Sequence, residues 1–217
     1  RDKKLVSLEE YVSRMSDDQK EIYYVSGETI DKCDKLPQTE WVKEKGYEIL
    51  YLVDDVDEFV LSVLHTYKDK TFKAINQGDL DLSSEEEKEA LKSKAEEKKD
   101  LLTSLKEALK DQVVDVRLSS RLKSHPVCLV ADEGISLEME KVLAQMPDAN
   151  NQVKAKRILE LNSDHPLIDA LSKVDSTKVS NYAKLLYNQA LLIEGFTIED
   201  PIEFSNSMAQ LMIDASK

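Results

Sequence analysis

Glycine is scarce in this sequence, five in 217 residues, and no two of the five are close together. Loops that cradle phosphate need clustered glycines, because their backbone N–H groups must close on the anion. Neither GxGxxG nor GxxxxGKS/T occurs, so no nucleotide site is visible. Cysteine is rarer still: Cys33 and Cys128 stand far apart with no CxxC. That excludes a disulfide framework and a structural zinc site, and it fits a reducing, cytoplasmic setting. No apolar run approaches the ~20 residues of a membrane helix. The start, Arg-Asp-Lys-Lys, has neither Met nor an apolar signal region, and reads as a fragment or processed product. Positive charge is also in deficit. Thirty Lys and Arg face 43 Asp and Glu, for a net charge of -13 and a pI near 4.8. A nucleic-acid binder needs a basic face, and anionic lipid attracts basic segments, so neither partner is expected.

What is present is apolar residues (41%) in clear periodic patterns under a heavily charged surface. Ser7 with Glu10 forms a capping box that starts a short helix. Glu21–Val25 reads as a strand, 28–36 and 38–45 as helices, and 48–53 as a second strand. Strand, helical crossover, strand is a βαβ pattern, and its nearly unbroken apolar runs suit a sheet covered on both faces. Asp54 and Asp55 then cap a helix whose apolar positions are Val56, Phe59, Val60, Val63 and Leu64. Residues 1–76 thus form one small αβα lobe.

Gln77-Gly78-Asp79 breaks this pattern, and twelve of the eighteen residues from Ser83 to Asp100 are charged. Leu91, Ala95, Leu102, Leu105 and Leu109 keep helical spacing, with Ser83 and Glu86 as a second capping box. Residues 77–110 therefore read as a charged connecting helix. A second lobe, 111–217, opens with strands over 113–118 and 126–130. Their short linker predicts an antiparallel hairpin, and a third strand over 157–161 completes a mixed three-stranded sheet with helices on one face. A short helix follows over about 166–174.

The last forty residues carry more apolar surface than one neighbour can cover. Val179, Ala183, Leu186, Ala190 and Ile193 follow a heptad seam, with Tyr182, Leu185 and Leu192 beside it. Asp200-Pro201 starts another helix, on which Phe204, Met208, Leu211 and Ala215 repeat the spacing and Ile202, Ala209 and Met212 widen it. A terminal helical hairpin of this kind predicts a homodimer: two copies about a two-fold axis make a four-helix bundle. The dimer interface is expected at Val179, Tyr182, Ala183, Leu186, Ala190, Ile193, Phe204, Met208, Leu211 and Met212. The alternative is a hairpin that packs back on its own lobe.

Ile135, Met139, Val142, Leu143 and Met146 share one helical stripe. Methionine adapts to differing partners, yet the same stripe suits an ordinary helix docked on its own sheet. His65, His125 and His165 show no metal-ligand spacing. Asp54, Asp55 and Asp57 complement a helix dipole without catalytic duty. Cys128 sits in a strand as a small core residue. No nucleophile, base and orienting acid assemble, so no catalytic, cofactor or metal site is expected.

Six phrases in order resemble the heat-shock protein 90 chaperones, in their bacterial form. They are Ile22–Glu28 (IYYVSGE), Lys45–Leu50 (KGYEIL) and Asp54–Phe59 (DDVDEF). Further on come Val116–Leu122 (VRLSSRL), Leu159–Asn162 with His165-Pro166-Leu167, and Leu185–Leu192 (LLYNQALL) followed by Asp200-Pro201. The resemblance implies that 1–76 is the distal end of the middle domain and that the rest is the C-terminal dimerisation domain. It implies a chaperone that binds unfolded or partly folded clients. The stripe of Ile135, Met139, Val142 and Leu143 matches the family's client helix, and Phe59 matches an aromatic position facing the same cleft. The family's ATP-binding domain, with its magnesium, and the arginine that assists hydrolysis would lie upstream of Arg1. This chain would then not be an enzyme, although its parent is an ATPase. The chain also ends without the Met-Glu-Glu-Val-Asp tail of eukaryotic cytosolic relatives. Two rivals remain: an α/β enzyme subunit with a small-ligand site at its strand ends, and a purely structural dimeriser.

Overall fold

The structure is a computed structural model, and it describes residues 4–80, 82–146 and 153–216. Helix α1 (Leu8–Ser13) starts at the expected capping box, Ser7 accepting from the Glu10 N–H and Glu10 accepting from Ser7. Strand β1 (Ile22–Ser26) is followed by α2 (Ile30–Asp34) and α3 (Thr39–Glu44), which cross to β2 (Ile49–Leu52). Helix α4 (Asp57–Leu64) follows, and then a hairpin, β3 (Thr66–Tyr67) with β4 (Lys70–Ala74), that the sequence reading had not placed. Its turn, Lys68-Asp69, holds both residues at positive φ, 48 and 60. That is the two-residue geometry usually announced by Asn-Gly or Asp-Gly, and without glycine the signal is missing. The sheet order is β2-β1-β4-β3, with β1 parallel to both β2 and β4. Tyr11, fully buried, ties α1 beneath it: its hydroxyl donates to the Glu48 carbonyl at 2.5 Å and accepts from the Tyr23 N–H at 3.1 Å.

Helices α5 (Glu85–Glu97) and α6 (Lys99–Ala108) replace the single connecting helix expected, the break falling at Lys98. The second capping box lies one residue later than expected, at Ser84 and Glu87. Strands β5 (Asp115–Leu118) and β6 (Val127–Ala131) precede α7 (Leu137–Ala144), β7 (Arg157–Leu161) and α8 (Pro166–Leu171). Helices α9 (Ser176–Ile193) and α10 (Pro201–Ala215) close the chain. The sheet order is β5-β7-β6, so β5 and β6 are not the hairpin expected. Strand β7 inserts between them, parallel to β5. It runs antiparallel to β6, as the bonds from Asn162 N to Pro126 O and from Asp132 N to Lys156 O at opposite ends require. The fully apolar β6, buried along its whole length, needs a strand neighbour with a matching face, and a short linker alone does not decide which strand that is.

The chain folds as two compact units. One unites the residues up to Leu82 with Val130–Lys156; the other unites Ser83–Leu129 with Arg157–Lys217. In the first unit, Gln77 and its neighbours are a docking point and not a simple break. Gly78 N donates to Ala131 O at 2.8 Å, Ala131 N donates to Asn76 O at 3.0 Å, and the Gln77 amide reaches the carbonyls of Asp132 and Gly134. These bonds fasten the 130–134 segment, and α7 after it, to the αβα lobe. In the second unit, Leu101 and Leu105 are buried along one face of α6 and Leu109 is buried at its C-cap, and α9 lies against that helix.

Candidate functional site

Helix α7 begins at Ser136, whose hydroxyl accepts from the Met139 N–H at 2.9 Å. Gly134, at φ 114, turns the chain into it, a conformation that favours glycine. The helix buries Leu137 and Glu140, whereas Ile135, Met139, Val142 and Leu143 are half-buried and Met146 is exposed. The predicted stripe is thus only partly covered, by neither a full core nor open water. The Glu140 carboxylate accepts from the Ala155 N–H at 2.9 Å, bringing the returning chain back to the helix.

Across from α7 lies α4. The expected aspartate caps are not made: Val56 holds the N-cap position without a side-chain bond, and Asp57 accepts from the Asp54 N–H at 3.2 Å. The helix is also turned differently from the amphipathic reading. Phe59 is half-buried and Glu58 is the buried residue, while Val56, Val60, Val63 and Leu64 are exposed, as is Val53 before them. Four of these share one helix face at spacings of four, seven and eight. Periodicity shows that a helix has an apolar face but does not reveal whether anything covers it.

Glu58 joins the two helices. Its carboxylate accepts from the Ser26 hydroxyl at the end of β1, at 2.6 Å, and from the Ser136 hydroxyl at the start of α7. Burial pushes its pKa above the ordinary carboxylate value, and the nearby Glu138 charge adds to this; the two serines and Lys141 pull the other way. Tyr24 on β1 is pushed up to about 12 by burial and by the Glu58 charge. The sequence contained this carboxylate in plain view, but nothing in its spacing marked it as buried.

A shallow cleft beside this cluster, bounded by Gly27, Val53, Asp55, Glu58, Met139 and Val142, has a cavity volume of about 10 Å³. That is room for one water. Among the described residues no three His, Cys, Asp or Glu side chains are grouped to hold a metal ion. The cleft is too small for a nucleoside triphosphate, and the described acids are not grouped to hold its magnesium. No helix among the described residues is long and apolar enough to cross a membrane.

The hairpin at the chain end divides the predicted interface residues into two sets. Val179, Ala183, Leu186 and Ala190 are buried within the chain itself, together with Tyr187 and Leu191. Helix α9 lies against α6. Tyr182, Leu185, Ile193, Phe204 and Leu211 are half-buried. Met208 and Met212 are exposed, as are Leu192, Ile202 and Ile213. Helix α10 buries no residue at all. It is nonetheless well begun, Asp200 accepting from the N–H groups of Ile202 and Glu203 with Pro201 first in the helix. An ion pair from Lys184 to Glu203 at 3.1 Å ties it to α9.

One buried charge cluster escaped the sequence reading. Glu160 on β7 and Arg121 are 2% and 1% exposed. Glu160 receives Arg117 at 2.8 Å, Arg121 at 3.0 Å and the Ser119 hydroxyl at 2.7 Å. Cys128 lies 3.9 Å away, its thiol pushed well up by burial and by the Glu160 charge. The cluster accounts for the VRLSSRL phrase as structure, not chemistry.

A family model described as Hsp90 protein matches residues 1–216. Among curated proteins, the chain is 55% identical over 214 residues to the chaperone protein HtpG of Clostridium acetobutylicum, covering 97% of this chain and 34% of that protein. It is 51% identical over 216 residues to the protein of the same name from Alkaliphilus oremlandii, and 49% over 216 residues to that of Bacillus subtilis. Each of those two alignments covers 98% of this chain and 34% of the relative. The chain spans about a third of the length of the curated relatives it matches.

Proposed function

This chain belongs to the Hsp90 protein family, and from that premise we propose that it is the client-binding and dimerising portion of a bacterial chaperone. In this reading residues 1–76 are the distal lobe of the middle domain, 77–110 connect, and 111–217 form the dimerisation domain. ATP, magnesium and hydrolysis belong to the remainder of the longer protein, and this chain works with it in the cytoplasm without being an enzyme itself. Unfolded or partly folded polypeptides bind along Ile135, Met139, Val142 and Leu143, with Phe59 and the exposed valines of α4 extending the surface.

The observation that carries the reading is the half-exposure of the α7 stripe, a partly dry surface of flexible and aliphatic side chains. Soluble domains seldom leave such surface open without a use, and methionine repacks against varied partners. Met139→Glu and Leu143→Glu each place a charge in that stripe without removing a buried residue. The expected result is weakened suppression of aggregation of a chemically unfolded protein, severalfold by light scattering, with unchanged circular dichroism. Undiminished suppression in both variants overturns the client site.

A further inference from the structure

The outer edge of β2 carries one inference beyond that assignment, which rests on the chain binding unfolded polypeptide. We propose that β2 takes an extended segment of the client as an added strand, held by main-chain hydrogen bonds and leading onto the α7 stripe.

Strand β2 is an edge of the β2-β1-β4-β3 sheet. The Gly27 N–H donates to the Leu52 carbonyl, and the register pairs Tyr24 with Leu50 and Ser26 with Leu52. Leu50 and Leu52 therefore turn their peptide groups toward β1, and in a parallel ladder Ile49 and Tyr51 turn theirs outward. Among the described residues, no group is hydrogen-bonded to the N–H or C=O of Ile49 or Tyr51 on that side. The Tyr51 hydroxyl donates to Asp34 at 2.5 Å, which leaves the backbone free.

Sheet edges are usually blunted by charge, proline, a bulge or brevity, because a bare edge pairs with other strands. The opposite edge of this sheet is blunted: β3 has two residues and turns through Lys68 and Asp69. In the other sheet, β5 carries Asp115 and Arg117. Strand β2 reads Ile-Leu-Tyr-Leu, with no charge, no proline and no break in its register. Leu50, Tyr51 and Leu52 are half-buried, and Val53 beyond them is exposed.

The occupant follows from length and place. Four residues give about 13 Å of edge, a strip too narrow to bury the ~800 Å² per partner of a stable interface between folded copies. One extended segment fits that length, and backbone pairing holds it whatever its sequence. The strand end, Leu52 and Val53, lines the same cleft as Met139 and Val142. A segment paired to β2 thus continues onto the α7 stripe within the first unit.

The probe is a peptide of alternating Val and Thr, N-methylated at every second residue so that one edge pairs and the peptide cannot stack on itself. Added to the 217-residue chain, it should slow exchange of the Ile49 and Tyr51 amides about fivefold or more by NMR, because both N–H groups become donors. The same peptide methylated at every residue should protect neither. Tyr51→Pro removes one outward N–H at a place where an edge tolerates proline, and should weaken binding of the first peptide about tenfold. Tyr51→Ala loses the same side chain but keeps the N–H, and should bind within about twofold of the unmodified chain. Equal protection by both peptides, or none by either, overturns the added strand, as does equal binding by the two variants. If Tyr51→Pro does not fold, the two peptides on the unmodified chain decide alone. Protection without peptide that grows with protein concentration makes a second copy the occupant and also refutes the proposal. Failure here, with Met139→Glu still weakening suppression of aggregation, leaves the client helix standing. Protection by the peptide in a chain whose Met139→Glu variant suppresses aggregation normally overturns the client helix alone.

Discussion

At the scale of single residues, the strongest constraints are buried polar groups whose partners come from distant sequence. Glu160 is the clearest case, its two oxygens shared among Arg117, Arg121 and Ser119. Neutralising one member of such a group leaves the others buried without compensation, and that penalty exceeds what the intact group contributes. Glu160→Gln, nearly identical in shape, should therefore cost about 3 kcal/mol in urea denaturation. A cost within ~0.5 kcal/mol, the range of ordinary surface substitutions, would mean that the arginines are hydrated in solution. Glu58 is the opposite kind of residue, buried against hydroxyls and not cations, so its charge costs stability where that of Glu160 is matched. Gly27 makes a simpler point: a Cβ there would lie 2.8 Å from the Cys33 sulfur, so the glycine of the IYYVSGE phrase is a packing requirement.

At the scale of elements, sequence legibility followed the range of the interaction. Capping boxes, helix starts and apolar runs are local, and α1, β1, β2, β7, α9 and α10 all appear where they were read. The antiparallel hairpin failed because strand order depends on β7, forty residues from β5. The faces of helices failed for a related reason, since periodicity defines a stripe but not its cover. The α9 seam shows how this matters. Leu186 is 4% exposed, whereas Leu192 on the same helix is 51% exposed. Leu186→Ala should destabilise the chain by about 3 kcal/mol, as a core truncation does. Leu192→Ala should change stability by less than about 0.5 kcal/mol, both by urea denaturation at a concentration where association is constant. Equal costs would show that the two positions share one environment. The candidate client surface was half legible: the methionine stripe was visible, and the carboxylate that attaches it was not.

At the scale of the whole molecule, the question is what covers α10. Its exposed Ile202, Met208, Met212 and Ile213 are a poor surface to leave wet, and in the proposed dimer a second copy would cover them. The seam residues Val179, Ala183, Leu186 and Ala190 cannot supply that interface, because they are already buried within the chain. In a two-fold interface each patch meets its own equivalent, so one substitution counts twice. A glutamate in place of a methionine that would be buried at the interface loses about 2 kcal/mol of apolar contact per copy, before the cost of desolvating its charge. Two copies make about 4 kcal/mol, or roughly a thousandfold in the dimer dissociation constant. Met212→Glu should therefore raise that constant about a thousandfold by sedimentation equilibrium, with folding preserved because α10 buries no residue within its own chain. The paired variant Leu192→Glu tests whether the outer face of α9 joins the interface. Dissociation constants unchanged in both variants would place the contact between copies elsewhere, and would leave α10 as a surface for a different protein.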